Sequence, residues 1–89
     1  MRLKLECMYE EVGEKIKVLA EFTDGKIIPR VFKWKSKEYR VGKVNLFYQE
    51  RQGKSVDYYF SVETDTGGVF KLKYNDEKLI WTLEELWVE

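Results

Sequence analysis

Asp24-Gly25 lies between two stretches of alternating polarity, and no other feature restricts the fold of this chain as much. Before it, Ile16, Val18, Ala20 and Phe22 alternate with Lys15, Lys17 and Glu21; after it come Ile27, Pro29 and Val31. Period-two alternation is the pattern of a strand with one buried face. Asp-Gly supplies the positive φ that a two-residue type I′ turn demands at both central positions. A hairpin turning here pairs Thr23 with Lys26, Phe22 with Ile27, Ala20 with Pro29 and Val18 with Val31. The proline checks that register. Thr23 and Lys26 form the hydrogen-bonded pair beside the turn, which makes Ala20 and Pro29 a non-hydrogen-bonded pair. Pro29 has no N–H to donate, so it fits there provided the other side of its strand is open.

The same two-residue period recurs along the chain. Residues 2–8 place Leu3, Leu5 and Cys7 on one face, and a turn is expected at residues 10–13. Beyond Pro29 the parity is mixed, because Phe32 and Trp34 fall opposite Val31; the strand bulges or bends, or both of its faces are covered. Ser36-Lys37 is a turn candidate, followed by Tyr39 and Val41. Parity changes at Gly42, after which Val44, Leu46 and Tyr48 align, and a glycine at such a switch reads as a bulge or barrel corner. Gln52-Gly53 turns the chain into the clearest strand, with Val56, Tyr58, Phe60 and Val62 opposite Asp57, Tyr59, Ser61 and Glu63. Thr66-Gly67-Gly68 leads to Phe70, Leu72 and Tyr74, and the turn at residues 75–78 leads to Leu79, Trp81 and Leu83. Thr82 and Glu85 fit a helix capping box, but the segment is too short to hold a helix without strong packing. A strand irregular at Glu84-Glu85 is the favoured alternative.

The expected fold is therefore all-β: one domain over residues 1–89, a small antiparallel meander of six or seven strands forming a curved sheet or partly open barrel. An irregular or helical C-terminal turn completes it. The short strands recur at roughly ten-residue spacing, with no βαβ alternation, no long repeat and no low-complexity segment.

Catalytic chemistry finds little purchase. Histidine is absent, which removes the commonest general base and the imidazole metal ligands. Cys7 is the only cysteine; it can form no internal disulfide, and on an apolar strand face it reads as a small buried hydrophobe. Asp65-Thr66-Gly67 matches the aspartic-protease triplet, yet Glu63-Thr64 replaces the apolar strand that should precede it and little chain follows. It reads as a turn. Asp57, Glu63 and Asp65 read as a solvated face rather than metal ligands. No catalytic residue, cofactor site or metal site is assigned. Charged Arg2, Lys4 and Glu6 and the lack of a long apolar run argue against a signal peptide or membrane span, so the expected location is cytoplasmic.

The chain is neutral, with 16 basic and 16 acidic residues, but the charges are segregated. Residues 26–43 hold seven cations against Glu38 alone; residues 75–89 hold five acids against Lys78 alone. Within the basic stretch, cations interleave with Phe32, Trp34 and Tyr39. Such a surface can stack single-stranded bases on rings and pair phosphates with Lys and Arg. The candidate nucleic-acid-binding residues are Lys33, Lys35, Lys37, Tyr39 and Arg40, with Tyr39 the ring expected to be most exposed. The competing explanation is that alternation alone produces the interleaving, with the rings in the core and the cations wet.

Pro29-x-x-Phe32-x-Trp34 followed by Tyr39-x-Val41-x-x-Val44 resembles the pattern of a family of small bacterial proteins described only as a domain of unknown function. Asp24-Gly25, Tyr58-Tyr59-Phe60, Gly67-Gly68-Val69-Phe70 and Trp81 match in order, over residues 19–88. Lys37-Glu38 stands where that family often has a glycine before the tyrosine. Some members are encoded near lesion-bypass DNA polymerases, so the resemblance implies a setting in DNA metabolism. Two functions of different class follow. One is a non-enzymatic accessory module that binds nucleic acid through residues 26–43. The other is a protein-interaction or structural module, monomeric or weakly dimeric, whose basic segment meets an acidic surface such as residues 75–89 of a second copy.

Overall fold

The computed structural model describes the backbone of residues 8–88 and the side chains of residues 9–87. The strand expected at residues 2–8, with Cys7 on its apolar face, falls almost wholly outside the described residues. Six strands follow one another, each antiparallel to the next: β1 (Met8–Thr23), β2 (Lys26–Trp34), β3 (Lys37–Gln52), β4 (Ser55–Thr64), β5 (Val69–Asn75) and β6 (Ile80–Val88). β1 also pairs with β6, which closes the sheet into a ring. The described residues contain no helix, so none is long and apolar enough to cross a membrane.

Two strands run the length of the molecule. β1 and β3 each have 16 residues, and a strand of that length reaches roughly 50 Å, the long dimension of a 50 × 25 × 24 Å particle. Each serves two neighbours. β1 pairs with β6 through residues 8–16 and with β2 through residues 17–23, while β3 pairs with β2 through residues 37–40 and with β4 from Val41 onward.

Bulges let these long strands curve, and they explain where the simple alternation misleads. The turn expected at residues 10–13 is instead a bulge in a continuous β1: Val12 and Gly13 lie opposite Glu84, and Gly13 takes φ 67°. The Asp24-Gly25 hairpin forms as expected, with positive φ at both turn residues and the Thr23/Lys26, Phe22/Ile27 and Ala20/Pro29 pairs in place. Val18 does not meet Val31. Arg30 is an extra residue on β2, so Leu19 pairs with Val31 and Val18 with Phe32. That one-residue slip brings Phe32 to the inner face, where it is fully buried. Gly42 is a bulge as expected, and a second bulge at Asn45 follows it, where the alternation shows none. Val44 therefore faces inward with Phe47, whereas Leu46 and Tyr48 face out. The Ser36-Lys37 and Gln52-Gly53 turns each fall one residue from expectation, at Lys35-Ser36 and Gly53-Lys54. Leu79 belongs to the β5–β6 turn, exposed at φ 58°. β6 is a strand to its end, with its irregularity at Glu84.

The core fills the ring. Phe60 and Val62 of β4, Phe70 and Leu72 of β5, and Trp81, Leu83 and Leu86 of β6 are buried together with Phe32. Val56 is buried too and Tyr58 half-buried, so β4 keeps the inner face that its alternation assigns.

One seam is incomplete. β2 and β3 share only four pairs, from Val31/Arg40 to Trp34/Lys37 at the end where the chain turns between them. Residues 26–30 of β2 and 41–52 of β3 diverge from that point, each bonded only to its other neighbour. The ring is zipped at one end and open at the other.

Candidate binding cleft at the open seam

The divergence of β2 and β3 leaves an open cleft of about 870 Å³, within the size range of ligand-binding pockets. Its walls are the inward-facing residues of the strands around it. Phe22 and Ile27 come from the β1–β2 hairpin, Val44 and Phe47 from β3, Tyr58 and Phe60 from β4, and Tyr74 from β5. Phe22 stands edge-on to Tyr74 at 5.7 Å between ring centroids, and Phe47 lies 5.1 Å from Phe60. These rings line a cavity that nothing among the described residues covers: Phe22 is 59%, Phe47 47% and Val44 39% exposed. Burial pushes the Tyr74 hydroxyl above its ordinary pKa, with the carboxylate of Asp76 adding to the shift. Asp76 sits at the turn end of the cleft, where it accepts a hydrogen bond from the Val56 N–H at 2.9 Å.

The strand edges beside the cleft carry free backbone groups. Two-residue turns fix which residues bond across a hairpin and which bond away from it. Gln52 and Ser55 flank the Gly53-Lys54 turn, so Tyr48, Glu50 and Gln52 bond to β4 while Phe47, Gln49 and Arg51 direct N–H and C=O into the gap. On the facing edge the same logic directs the N–H and C=O of Ile27 and the C=O of Pro29 across the gap.

The basic residues singled out in the sequence are not brought to one surface. Lys33 and Arg40 project from the outer face of β2 and β3, with Lys33 paired between Lys17 and Glu38. Lys35 is in the turn. Lys37 and Tyr39 share the inner parity of Trp34 and border a smaller recess at the zipped end. Tyr39 is not the exposed ring of the set: it is half-buried, stacked on Phe32 at 5.0 Å and tilted against Phe70 at 4.9 Å. Trp34 also turns inward, and its Nε1 donates to Glu14 Oε1 at 3.0 Å. Lys35 Nζ lies 4.8 Å over the Trp34 ring and Lys37 Nζ 5.1 Å over Tyr39, so each ring is capped by its own neighbour.

Two of the three acids read as a solvated face are engaged. Asp57 is buried and accepts a hydrogen bond from Asn75 Nδ2 at 2.7 Å, and half-buried Glu63 accepts one from Asn45 Nδ2 at 2.8 Å. Asp65 is exposed in the β4–β5 turn, where its N–H donates to the Arg40 carbonyl at 3.0 Å. Among the described residues no three Cys, Asp or Glu side chains gather as metal ligands.

Alternation does not mark the cleft: Phe22 falls on the parity of the core, and Phe47 falls on the parity assigned to solvent until the bulge at Asn45 turns it inward. No family model matches this chain, and neither a curated protein nor a solved structure matches it.

Proposed function

We propose that this protein is a non-enzymatic binding module that recognises a protein partner through the cleft at its open seam. The observation that carries this reading is the exposure of Phe22, Val44 and Phe47 as the walls of one concave apolar site. Clustered apolar exposure in a concavity marks recognition surfaces, whereas single exposed hydrophobes do not. The nucleic-acid alternative draws less support. Stacking needs a free ring beside free cations, and all three rings of the basic stretch turn inward, Trp34 and Tyr39 under nearby lysines. The setting that the family resemblance implies is still accommodated, since an accessory protein of DNA metabolism can act by meeting another protein.

The test is a photo-crosslinker placed at Phe47, and at Lys17 on the outer face as control. A protein crosslinked from Phe47 alone is then purified and titrated against the wild type and Phe47→Asp. We expect specific binding that weakens at least about tenfold in the variant, the loss typical of a central apolar contact. Salt-sensitive retention of single-stranded DNA that falls when Lys33, Lys35 and Lys37 are changed to Ser would instead favour nucleic acid.

A further inference from the structure

We infer that the occupant of the cleft is an extended segment of another protein that adds as a strand between β2 and β3, with apolar side chains at alternate positions and acidic ones between them. The inference rests on the cleft being the recognition site and says what chemistry fills it.

Backbone groups argue for an extended chain. Phe47, Gln49 and Arg51 offer three N–H and three C=O groups into the gap from a regular edge, since residues 46–52 pair with β4 without a bulge. Across the gap, Ile27 offers both groups and Pro29 its carbonyl. Two unpaired edges facing one another around an apolar floor are a site that an extended peptide satisfies through its main chain. An apolar small molecule would cover the rings and leave those groups without partners. Edges left open in native sheets are commonly blunted by proline or bulges, and here the blunting is uneven. Pro29 removes a donor from β2, and the bulges at Gly42 and Asn45 break only the first part of β3. Residues 46–52 remain the docking edge.

Side-chain chemistry sets the pattern of the guest. A strand bonded to Phe47, Gln49 and Arg51 turns alternate side chains inward, towards Phe22, Ile27 and Tyr74. Its other side chains face outward beside the flanking strands. On that outer face the facing segments, residues 26–30 and 41–52, hold Lys26, Arg30 and Lys43 against Glu50 alone, while Arg51 pairs with Val56 and shares the inner parity of Phe47 and Gln49. Arg30 is paired with Glu21, and Lys26 and Lys43 take part in no ion pair among the described residues. Carboxylates between the apolar positions complement those cations. The cleft's own acids, Asp24 and Asp76, lie at its turn end, where Asp76 already holds the Val56 N–H.

The experiment selects from a display library of random peptides about ten residues long, enough for a strand of the usual five or six with flanks. The immobilised full chain is the bait. Enriched peptides should alternate apolar residues with acids, and N-methylation at every second peptide residue should cost at least about tenfold in affinity. In the complex, amide exchange should slow at Phe47, Gln49 and Arg51 and stay unchanged at Tyr48 and Glu50. Gln49→Pro should weaken binding by a similar factor with no loss of the β3–β4 ladder, because the N–H it removes faces the gap; unchanged protection at Tyr48 verifies the fold. Enrichment without alternation, indifference to N-methylation, protection elsewhere, or no enrichment would each overturn strand addition. Concentration-dependent protection of the same amides without peptide would assign the seam to a second copy and overturn it as well. If peptides fail while the Phe47-dependent crosslinked partner persists, only strand addition falls. If both fail, the cleft is not the recognition site.

Discussion

Phe47 of β3 pairs with Phe60 of β4, their rings 5.1 Å apart, yet Phe60 is 1% exposed and Phe47 47%. The two rings divide the inner face into core and cleft. Phe60→Ala should therefore cost about 3–5 kcal/mol, as for other buried aromatic truncations, a large part of the stability of a small domain. Phe47→Ala, which removes a ring already half in water, should cost about 1 kcal/mol or less. Denaturant titration of both variants checks this; equal losses would mean that the cleft is closed in solution.

The β5–β6 turn hangs on Asn75. Its Oδ1 accepts from the Glu77 and Lys78 N–H groups at 3.1 and 2.8 Å, and its Nδ2 donates to buried Asp57 at 2.7 Å. Asn75→Ala leaves a buried carboxylate oxygen without its partner, a loss of about 2–3 kcal/mol. A double-mutant cycle with Asp57→Ala should recover much of that as coupling between the two residues. Additive losses would show that the contact is not formed.

How far the sequence discloses this molecule depends on the bulges. Where alternation runs unbroken, as in Val56 to Val62 and Phe70 to Tyr74, the inner face is read directly, and Asp24-Gly25 sets the first hairpin because its backbone requirement is local. A bulge adds one residue and inverts the parity of all that follows. Gly42 announces its bulge by composition. Arg30 and Asn45 do not, because their bulges answer to tertiary demands of closing the ring. The cleft hangs on those positions, together with the extent of β2–β3 pairing, which no local pattern encodes. Tyr39 illustrates the same limit: flanking charges mark it as wet, but it pairs with Phe32, which the bulge at Arg30 two residues earlier in β2 turns to the inner face.

Alkaline stability should depend on Tyr59. It stacks on Tyr48 at 4.7 Å on the outer face, with Lys71 Nζ 5.3 Å from its ring. Desolvation first, then the carboxylates of Glu50, Asp57 and Glu84, push its hydroxyl up to about 12 from an ordinary 10. The folded chain thus holds this proton more tightly than the unfolded chain. Its contribution is fully present below pH 10 and is lost as pH rises from 10 through about 12. Tyr9, Tyr74 and Lys71 are shifted in the same direction and steepen the fall. Tyr59→Phe should flatten the pH dependence of the melting temperature in that window, and the phenolate absorbance of the wild type should show one late-titrating tyrosine that the variant lacks.

The zipped end offers a stabilising change that also locates function. Lys35 and Ser36 hold φ 53° and 64° in their two-residue turn, the left-handed region that costs an L-residue about 1–2 kcal/mol and suits Asn-Gly. Lys35→Asn with Ser36→Gly relieves that strain and gives up the contact of Lys35 with the Trp34 ring, worth about 0.5–1 kcal/mol at an exposed site. Extra backbone freedom of the glycine in the unfolded chain offsets part of the gain. The net should be about 0.5–1 kcal/mol of added stability, a rise of a few degrees in melting temperature for a domain this size. An unchanged or lower melting temperature would show that the turn is not strained in this way. Because this turn lies at the opposite end of the β2–β3 seam from the cleft, the variant should bind the crosslinked partner as the wild type does. Binding that falls with this change, while Phe47→Asp leaves it intact, would move the recognition surface to the basic stretch around Lys33, Lys35 and Lys37.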